Sequence, residues 1–280
     1  MAGTVADPQQ LKERVKDHWE GEICGTRYGA EFAADRRRYF DEIERTRYQQ
    51  DYMLREFAQF ETSRNQRVLE VGLGAGTDFL QWVRNGALAT GRDLTNASVE
   101  LVRERLELEG LQGDVAVGDA ESLEFPDNTF DIYYSRGVLM ATPNTEKAIA
   151  EAYRVLKPGG TLKIMLYHYH SVATLLVWLL YGPLRLQWIS PRTAVFHNVE
   201  SPGMKVYSVK EARALVGKYF QRHSVEISMK LGSGDLLTHR FSKKYQGRKW
   251  GLVRRIYPRW FVRHVLGNRF GTVMMIRTTK

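Results

Sequence analysis

Hydrophobic positions along the chain fall into two regimes. Between residues 8 and 60 they recur at helical spacing: Leu11, Val15 and Trp19 in one stretch, then Tyr39, Phe40, Ile43, Tyr48 and Phe57 in a charge-rich run over 33–60. Residues 22–29 separate the two as a turn or lid segment. From residue 67 the pattern changes to short apolar runs alternating with helical ones. Strands are predicted over 68–71, 87–92, 114–118, 130–135 and 161–167, and helices over 78–85, 97–109 and 145–156. The last helix is expected to end at the turn Lys157-Pro158-Gly159-Gly160. A helix over 208–220 and strands over 224–230 and 271–277 follow.

Strands separated by helices imply βαβ units and an α/β fold, a doubly wound, mostly parallel seven-stranded sheet of Rossmann-like type. The block 233–269 is too long for a hairpin loop and is expected to form an inserted helical cap. The longest apolar stretch, 172–186, is broken by Gly182, Pro183 and Arg185, and a spanning helix needs about 20 apolar residues. No transmembrane segment is therefore expected. The first ten residues are polar and do not read as a secretory signal. A single cysteine, Cys24, excludes an intrachain disulfide and a cysteine cluster for metal; no metal site is expected, and the location expected is cytoplasmic.

The formal charge of +9 is uneven: after Asp235 there is no acidic residue, while 236–280 hold twelve Lys and Arg. Such a tail seeks an anionic partner. It interleaves Lys243, Lys244, Arg248, Lys249, Arg254, Arg255, Arg259 and Arg263 with Trp250, Tyr257, Trp260 and Phe261. That pattern suits nucleic acid. It equally suits an anionic membrane surface, with the apolar stretch 172–181 lying on the lipid or covering an apolar substrate.

Candidate chemistry gathers at strand ends, where ligands bind in open α/β sheets. The first strand enters Gly72-Leu73-Gly74-Ala75-Gly76, with Glu70 just before it and Thr77 just after. Glycine allows both a sharp turn and close backbone approach to a ligand. Thr77 stands where the dinucleotide fingerprint has its third glycine. Asp93 ends the second strand, where a carboxylate can accept from ribose hydroxyls, and Asp119 follows the third, where one can accept from an adenine amino group. Each aspartate alone reads equally as a helix cap or a turn residue.

The run from Val68 to Thr77 resembles the first motif of class I S-adenosylmethionine-dependent methyltransferases. Gly118-Asp119-Ala120-Glu121-Ser122-Leu123 and Phe125-Pro126-Asp127-Asn128-Thr129-Phe130-Asp131 resemble the third and fourth motifs of the ubiquinone/menaquinone-biosynthesis-like (methyltransferase type 11) subgroup, and Tyr153 to Gly160 resembles the turn before its fifth strand. The likeness covers 65–168. It implies S-adenosyl-L-methionine as cofactor and S-adenosyl-L-homocysteine as product. Three segments are expected along the chain: an N-terminal helical lid (1–64), a cofactor-binding core (65–170), and a substrate cap with the last strands and basic tail (171–280). Carried over by position, Glu70, Gly72, Gly74, Gly76 and Thr77 line the methionine side, Asp93 and Leu94 the ribose and adenine, and Asp119, Ala120 and Glu121 the adenine edge. Ser135 and Arg136 fall near the sulfonium and substrate. Many relatives carry two histidines after Gly137-Val138-Leu139, where this chain has Met140-Ala141.

A sulfonium methyl is already activated, so the protein's main task is alignment and exclusion of water. Should the acceptor lose a proton, candidate bases are Tyr167, His168 and His170, with His18, Glu20 and Tyr28 as weaker ones. The expected activity is methyl transfer to a small, apolar or lipid-like acceptor, with peripheral contact to anionic membrane. The alternatives are an RNA methyltransferase using the basic tail, with nucleic acid the less favoured partner, and a non-catalytic cofactor-binding partner protein. Oligomeric state stays open.

Overall fold

A computed structural model describes residues 7–230 and 267–280. The expected cap over 233–269 therefore lies, but for its last three residues, outside the described residues, as do the basic and aromatic positions of the tail before Arg269.

Three helices precede the sheet: α1 (Pro8–Gly21), α2 (Arg36–Gln50) and α3 (Leu54–Ala58). The core then alternates β1 (Arg67–Val71), α4 (Thr77–Arg84), β2 (Leu88–Asp93), α5 (Asn96–Glu109), β3 (Asp114–Val117), β4 (Phe130–Arg136), α6 (Thr145–Val155) and β5 (Leu156–His168). After it come α7 (Val172–Tyr181), α8 (Pro191–Asn198), β6 (Val206–Tyr207), α9 (Val209–Val216), β7 (Glu226–Lys230) and β8 (Val273–Thr279). The main path of the sheet runs β3-β2-β1-β4-β5-β8-β7, seven strands, with the two-residue β6 paired to the far end of β5. The first five are parallel and β8 runs antiparallel between β5 and β7. The strand order reverses beside β1, and this opens a crevice at the carboxyl ends of β1 and β4.

Both faces are covered, as a parallel sheet requires. Alternation along β1 sends Val68 to one side, against Phe79, Leu80, Trp82 and Val102, and Leu69 to the other, against Ile149, Leu162 and Leu166. Helix starts carry matching caps: Thr95 accepts from Ser98 N at the start of α5, Asn144 from Lys147 N at α6, and Ser208 with Glu211 forms a capping box at α9.

One local expectation changes. Lys157 to Gly160 is not a free turn but the opening of β5. Phe130 pairs with Leu156 and Ile132 already with Thr161, so the extra residues bulge out of the ladder. Gly159 N and Gly160 O there bond to Lys280, which ties the bulge to the chain's last residue. The apolar stretch 172–186 is a ten-residue helix stopped at Gly182, and among the described residues no helix is long and apolar enough to cross a membrane.

Candidate active site at the carboxyl ends of β1 and β4

The glycine loop leaves β1 in a conformation only glycine adopts at low cost. Gly72 has φ +87°, and a Cβ on it would meet a methyl of Val138 at 2.0 Å. Gly76 has φ +71°, and its missing Cβ lets Val102 of α5 pack against the start of α4. Asp93 sets the loop from the next strand. One carboxylate oxygen accepts from Leu73 N at 2.7 Å and Gly74 N at 3.2 Å. The other accepts from Thr95 N at 3.0 Å and Thr95 Oγ1 at 2.7 Å. It is thus both a loop clamp and part of a helix start, the two readings its sequence position allowed.

The loop forms one wall of a cavity of about 200 Å³. Glu70, Gly72, Gly74, Thr77, Asp93, Leu94, Asp119, Ala120 and Arg136 line it. Gly76, Glu121 and Ser135 do not. Gly76 packs against α5; Ser135 Oγ donates to Val71 O at 2.8 Å, bridging β4 to β1; Glu121 accepts from Asn144 N at 2.7 Å. Their place is in the walls behind the cavity.

The N-terminal helices close the other side. Lys12 of α1 donates to Asp119 Oδ2 at 2.6 Å and to Glu121 Oε2 at 3.0 Å. Burial would lower the Lys12 pKa, but the two carboxylates outweigh it and raise the value above the ordinary one. Glu20 caps α5 by accepting from Asn96 N and Ala97 N at 3.1 and 3.0 Å. Tyr28 lines the cavity and donates to Gln50 Oε1 at 2.9 Å. His18 stacks edge-on against Trp19 and is not part of the lining.

Under the loop lies a buried charge network that sequence reasoning missed. Asp78 accepts from Arg47 at 2.9 Å, Tyr48 at 3.0 Å and Tyr134 at 2.9 Å, and Asp51 pairs with Arg136. Burial pushes the Asp78 carboxyl up, but Arg47 and Arg136 with these bonds hold it below the usual carboxylate range. Glu70 goes the other way: burial and the Asp78 charge lift it well above that range, despite Arg47 and a bond from Trp82 Nε1 at 2.9 Å. Arg47 near the end of α2 and Asp51 just after it stand four apart, a spacing that also fits an ordinary solvated face. Only the packing of α2 against the loop, through Ile43, Phe40 and Ala75, shows that the pair points inward.

The three candidate bases separate. Tyr167 lines the cavity and donates to Glu200 Oε2 at 2.9 Å. His168 and His170 lie side by side, ring centroids 5.8 Å apart, yet neither lines the cavity. His168 is buried with Nδ1 3.1 Å from Gly271 O, and burial lowers its pKa. Alternation along β5 turns Tyr167 toward the crevice and His168 behind the strand, while His170 lies past the strand's end, so neither histidine faces the cavity as expected. Glu200 was not singled out from the sequence. It sits in Glu200-Ser201-Pro202-Gly203, which reads as a turn and nothing more.

Residues 69–164 match the family model described as a methyltransferase domain. Among curated proteins, the chain is 41% identical over 98 residues to phthiotriol/phenolphthiotriol dimycocerosates methyltransferase 1 of Mycobacterium ulcerans, covering 34% of this chain and 35% of that one. It is 38% identical over 104 residues to the ubiquinone/menaquinone biosynthesis C-methyltransferase of Hydrogenovibrio crunogenus, covering 35% and 41%. The matched region thus spans only about two fifths or less of these relatives' length. Among solved structures, an S-adenosylmethionine-dependent methyltransferase of Thermotoga maritima, described as a possible histamine N-methyltransferase, shares the fold with a TM-score of 0.53 at 19% identity over 95% of this chain and 99% of that one. Residues 69–164 therefore match a methyltransferase domain, and the chain shares the Rossmann-like fold of that solved S-adenosylmethionine-dependent methyltransferase.

Proposed function

We propose that the chain transfers a methyl group from S-adenosyl-L-methionine to a small acceptor with an apolar or lipid-like body, releasing S-adenosyl-L-homocysteine. The observation that carries this reading is the single cavity wall shared by the glycine loop, Asp93 and Asp119. The residues fit the cofactor. A Cβ at Gly72 would drive into Val138, so the loop keeps its backbone close to the cavity. Asp93 and Asp119 offer acceptors at two points along the wall, one for ribose hydroxyls and one for an adenine amino group. Asp93 already takes four hydrogen bonds, so ribose hydroxyls would share or displace those from the loop. Asp119 would turn from Lys12 toward an adenine amino group, with Ala120 beside it.

The bound cofactor supplies a methyl already activated by its sulfonium. The protein's part is to align the acceptor and exclude water. Val15, Trp19, Val138 and Met165 supply apolar wall, while Arg47, Asp51, Arg136, Tyr167 and Glu200 make one end polar. An acceptor with a polar reacting group and an apolar body suits both. The names of the two curated relatives, a dimycocerosate and a ubiquinone/menaquinone enzyme, support that chemical class.

Peripheral contact with membrane is part of this proposal. Leu175, Leu184, Leu186 and Trp188 are exposed, Trp188 completely, and no acidic residue occurs from 169 to 199. An apolar, acid-free projection beside the crevice suits the surface of an anionic bilayer. Titration calorimetry with S-adenosylmethionine tests the central reading: saturable binding is expected, and no heat at millimolar cofactor with folded protein sinks it. Incubating metabolite extracts with methyl-labelled cofactor then identifies the acceptor by a one-methyl mass shift.

A further inference from the structure

Glu200 is the least explained residue of the cavity. It lies between α8 and β6 with φ +45°, a left-handed conformation that costs a non-glycine residue free energy and that concentrates at functional sites. Its side chain is solvent-accessible and lines the cavity beside Tyr167. Oε2 accepts from the Tyr167 hydroxyl at 2.9 Å; Oε1 accepts nothing, and the carboxylate makes no ion pair, among the described residues. A carboxylate kept only for the fold would be expected to hold a cation or cap a helix. This one does neither and keeps an oxygen open to the cavity.

The groups that face it come from several neighbouring elements: Tyr167 from β5, Arg136 from β4, Arg47 from α2, Asp51 just after α2, and Cys24 from the turn after α1. Burial lifts the Glu200 carboxyl above its ordinary range, against Tyr167, Arg136 and Arg47, which pull it down. A carboxyl raised in that way takes up a proton more readily than a free carboxylate does.

We propose that Glu200 is the proton acceptor of the methyl-transfer step, oriented by Tyr167, and that the acceptor molecule accordingly bears an O–H or N–H at its reacting group. The inference rests on the methyltransferase reading above. A lone pair of the acceptor forms the new bond to the methyl carbon. The carbon–sulfur bond breaks with its electrons passing to sulfur, which neutralises the sulfonium. The O–H or N–H proton passes to Glu200 Oε1 and leaves to water once the products depart. His168 and His170 have no part in this route, and Tyr167 acts by holding the carboxylate in place.

The test needs no knowledge of the acceptor. A positive sulfonium placed beside Glu200 favours its ionised form, so binding S-adenosylmethionine expels a proton from Glu200 that binding S-adenosylhomocysteine leaves in place. Calorimetry of both ligands in buffers of different ionisation enthalpy counts the protons released across pH 5 to 8. With the sulfonium ligand the wild-type chain is expected to release up to about one proton more than Glu200→Gln does. Glu200→Gln is expected to weaken S-adenosylmethionine binding relative to S-adenosylhomocysteine as pH rises, because the carboxylate charge that faces the sulfonium is gone. In Tyr167→Phe the loss of a donor raises the carboxyl further, and the extra release moves to higher pH; this variant serves should Glu200→Gln fold poorly. Identical proton release in the wild type and Glu200→Gln, or an unmoved profile in Tyr167→Phe, overturns the proposal and leaves the methyltransferase reading standing. Absence of heat with either ligand overturns both.

Discussion

The ammonium of Lys12 sits 2.6 Å from the carboxylate of Asp119, which joins the first helix of the chain to the end of β3, 107 residues later. The contact is half-open to solvent, so its direct energy is small, about 0.2–1 kcal/mol for such pairs. Its kinetic weight is larger, because α1 covers the cavity on that side. Lys12→Met is expected to speed both entry and release of S-adenosylmethionine while changing its Kd less than about fivefold. Stopped-flow fluorescence of the cavity-lining Trp19 reads both rates. Unchanged release would show that α1 does not gate the site.

Asp93 holds four hydrogen bonds from the glycine loop and the start of α5. Asp93→Ala orphans two loop N–H groups, at a cost of about 1–3 kcal/mol for each that stays dry. The variant should lose at least tenfold in cofactor affinity and several degrees in Tm, whereas Asp93→Asn, which keeps one acceptor oxygen, should lose less of both. Calorimetry and a thermal melt on the same samples separate the two losses.

Asp78 is the shared acceptor of Arg47, Tyr48 and Tyr134 in the buried network. Removing one partner of a buried pair leaves the other uncompensated, at about 3–5 kcal/mol. Asp78→Asn should therefore lower the denaturant midpoint strongly. Because the folded carboxyl is held below its unfolded value, its contribution is present in full above the ordinary carboxylate range and lost as pH falls through the depressed value. Acid titration of the wild type should show that loss, and Asp78→Asn should lack it.

Glu70 gives the opposite sign. Burial raises its folded carboxyl well above the unfolded one, so the folded state retains a proton that the unfolded state has already lost. Stability should fall as pH rises from the ordinary carboxylate range toward the raised value. Glu70→Gln, which keeps an acceptor for Trp82 Nε1, should remove that slope and be at least as stable as the wild type at neutral pH. Guanidinium unfolding at several pH values checks both. A slope that persists in the variant belongs to another group.

For the projection after α7, Trp188→Ser with Leu186→Ser should cut sedimentation with vesicles of phosphatidylglycerol and phosphatidylcholine by more than half, with cofactor binding intact. Equal sedimentation would assign any membrane affinity to another surface.

The strand–helix alternation from β1 to β5 was legible because period and turn chemistry are local properties, and this sheet obeys them. The glycine loop, Asp93 and Asp119 were legible for the same reason: a parallel sheet delivers every strand's carboxyl end to one edge, so strand-end residues meet whatever else the chain does. The PGG bulge was not, because the register of β5 against β4 is set by pairing across the sheet. Nor was the fate of the histidines: alternation along β5 depends on where that strand ends, and it runs through His168. Arg47, Asp51 and Glu200 come from segments whose sequences read as a charged helix face and a turn. Their convergence on one cavity is a long-range packing result, made when α2 seats on the glycine loop and the 199–205 segment folds back beside β5. Sequence alone thus determined where a cofactor of this class would lie; the tertiary structure decided what stands opposite it, since the acceptor side is assembled from parts of the chain that no local pattern relates.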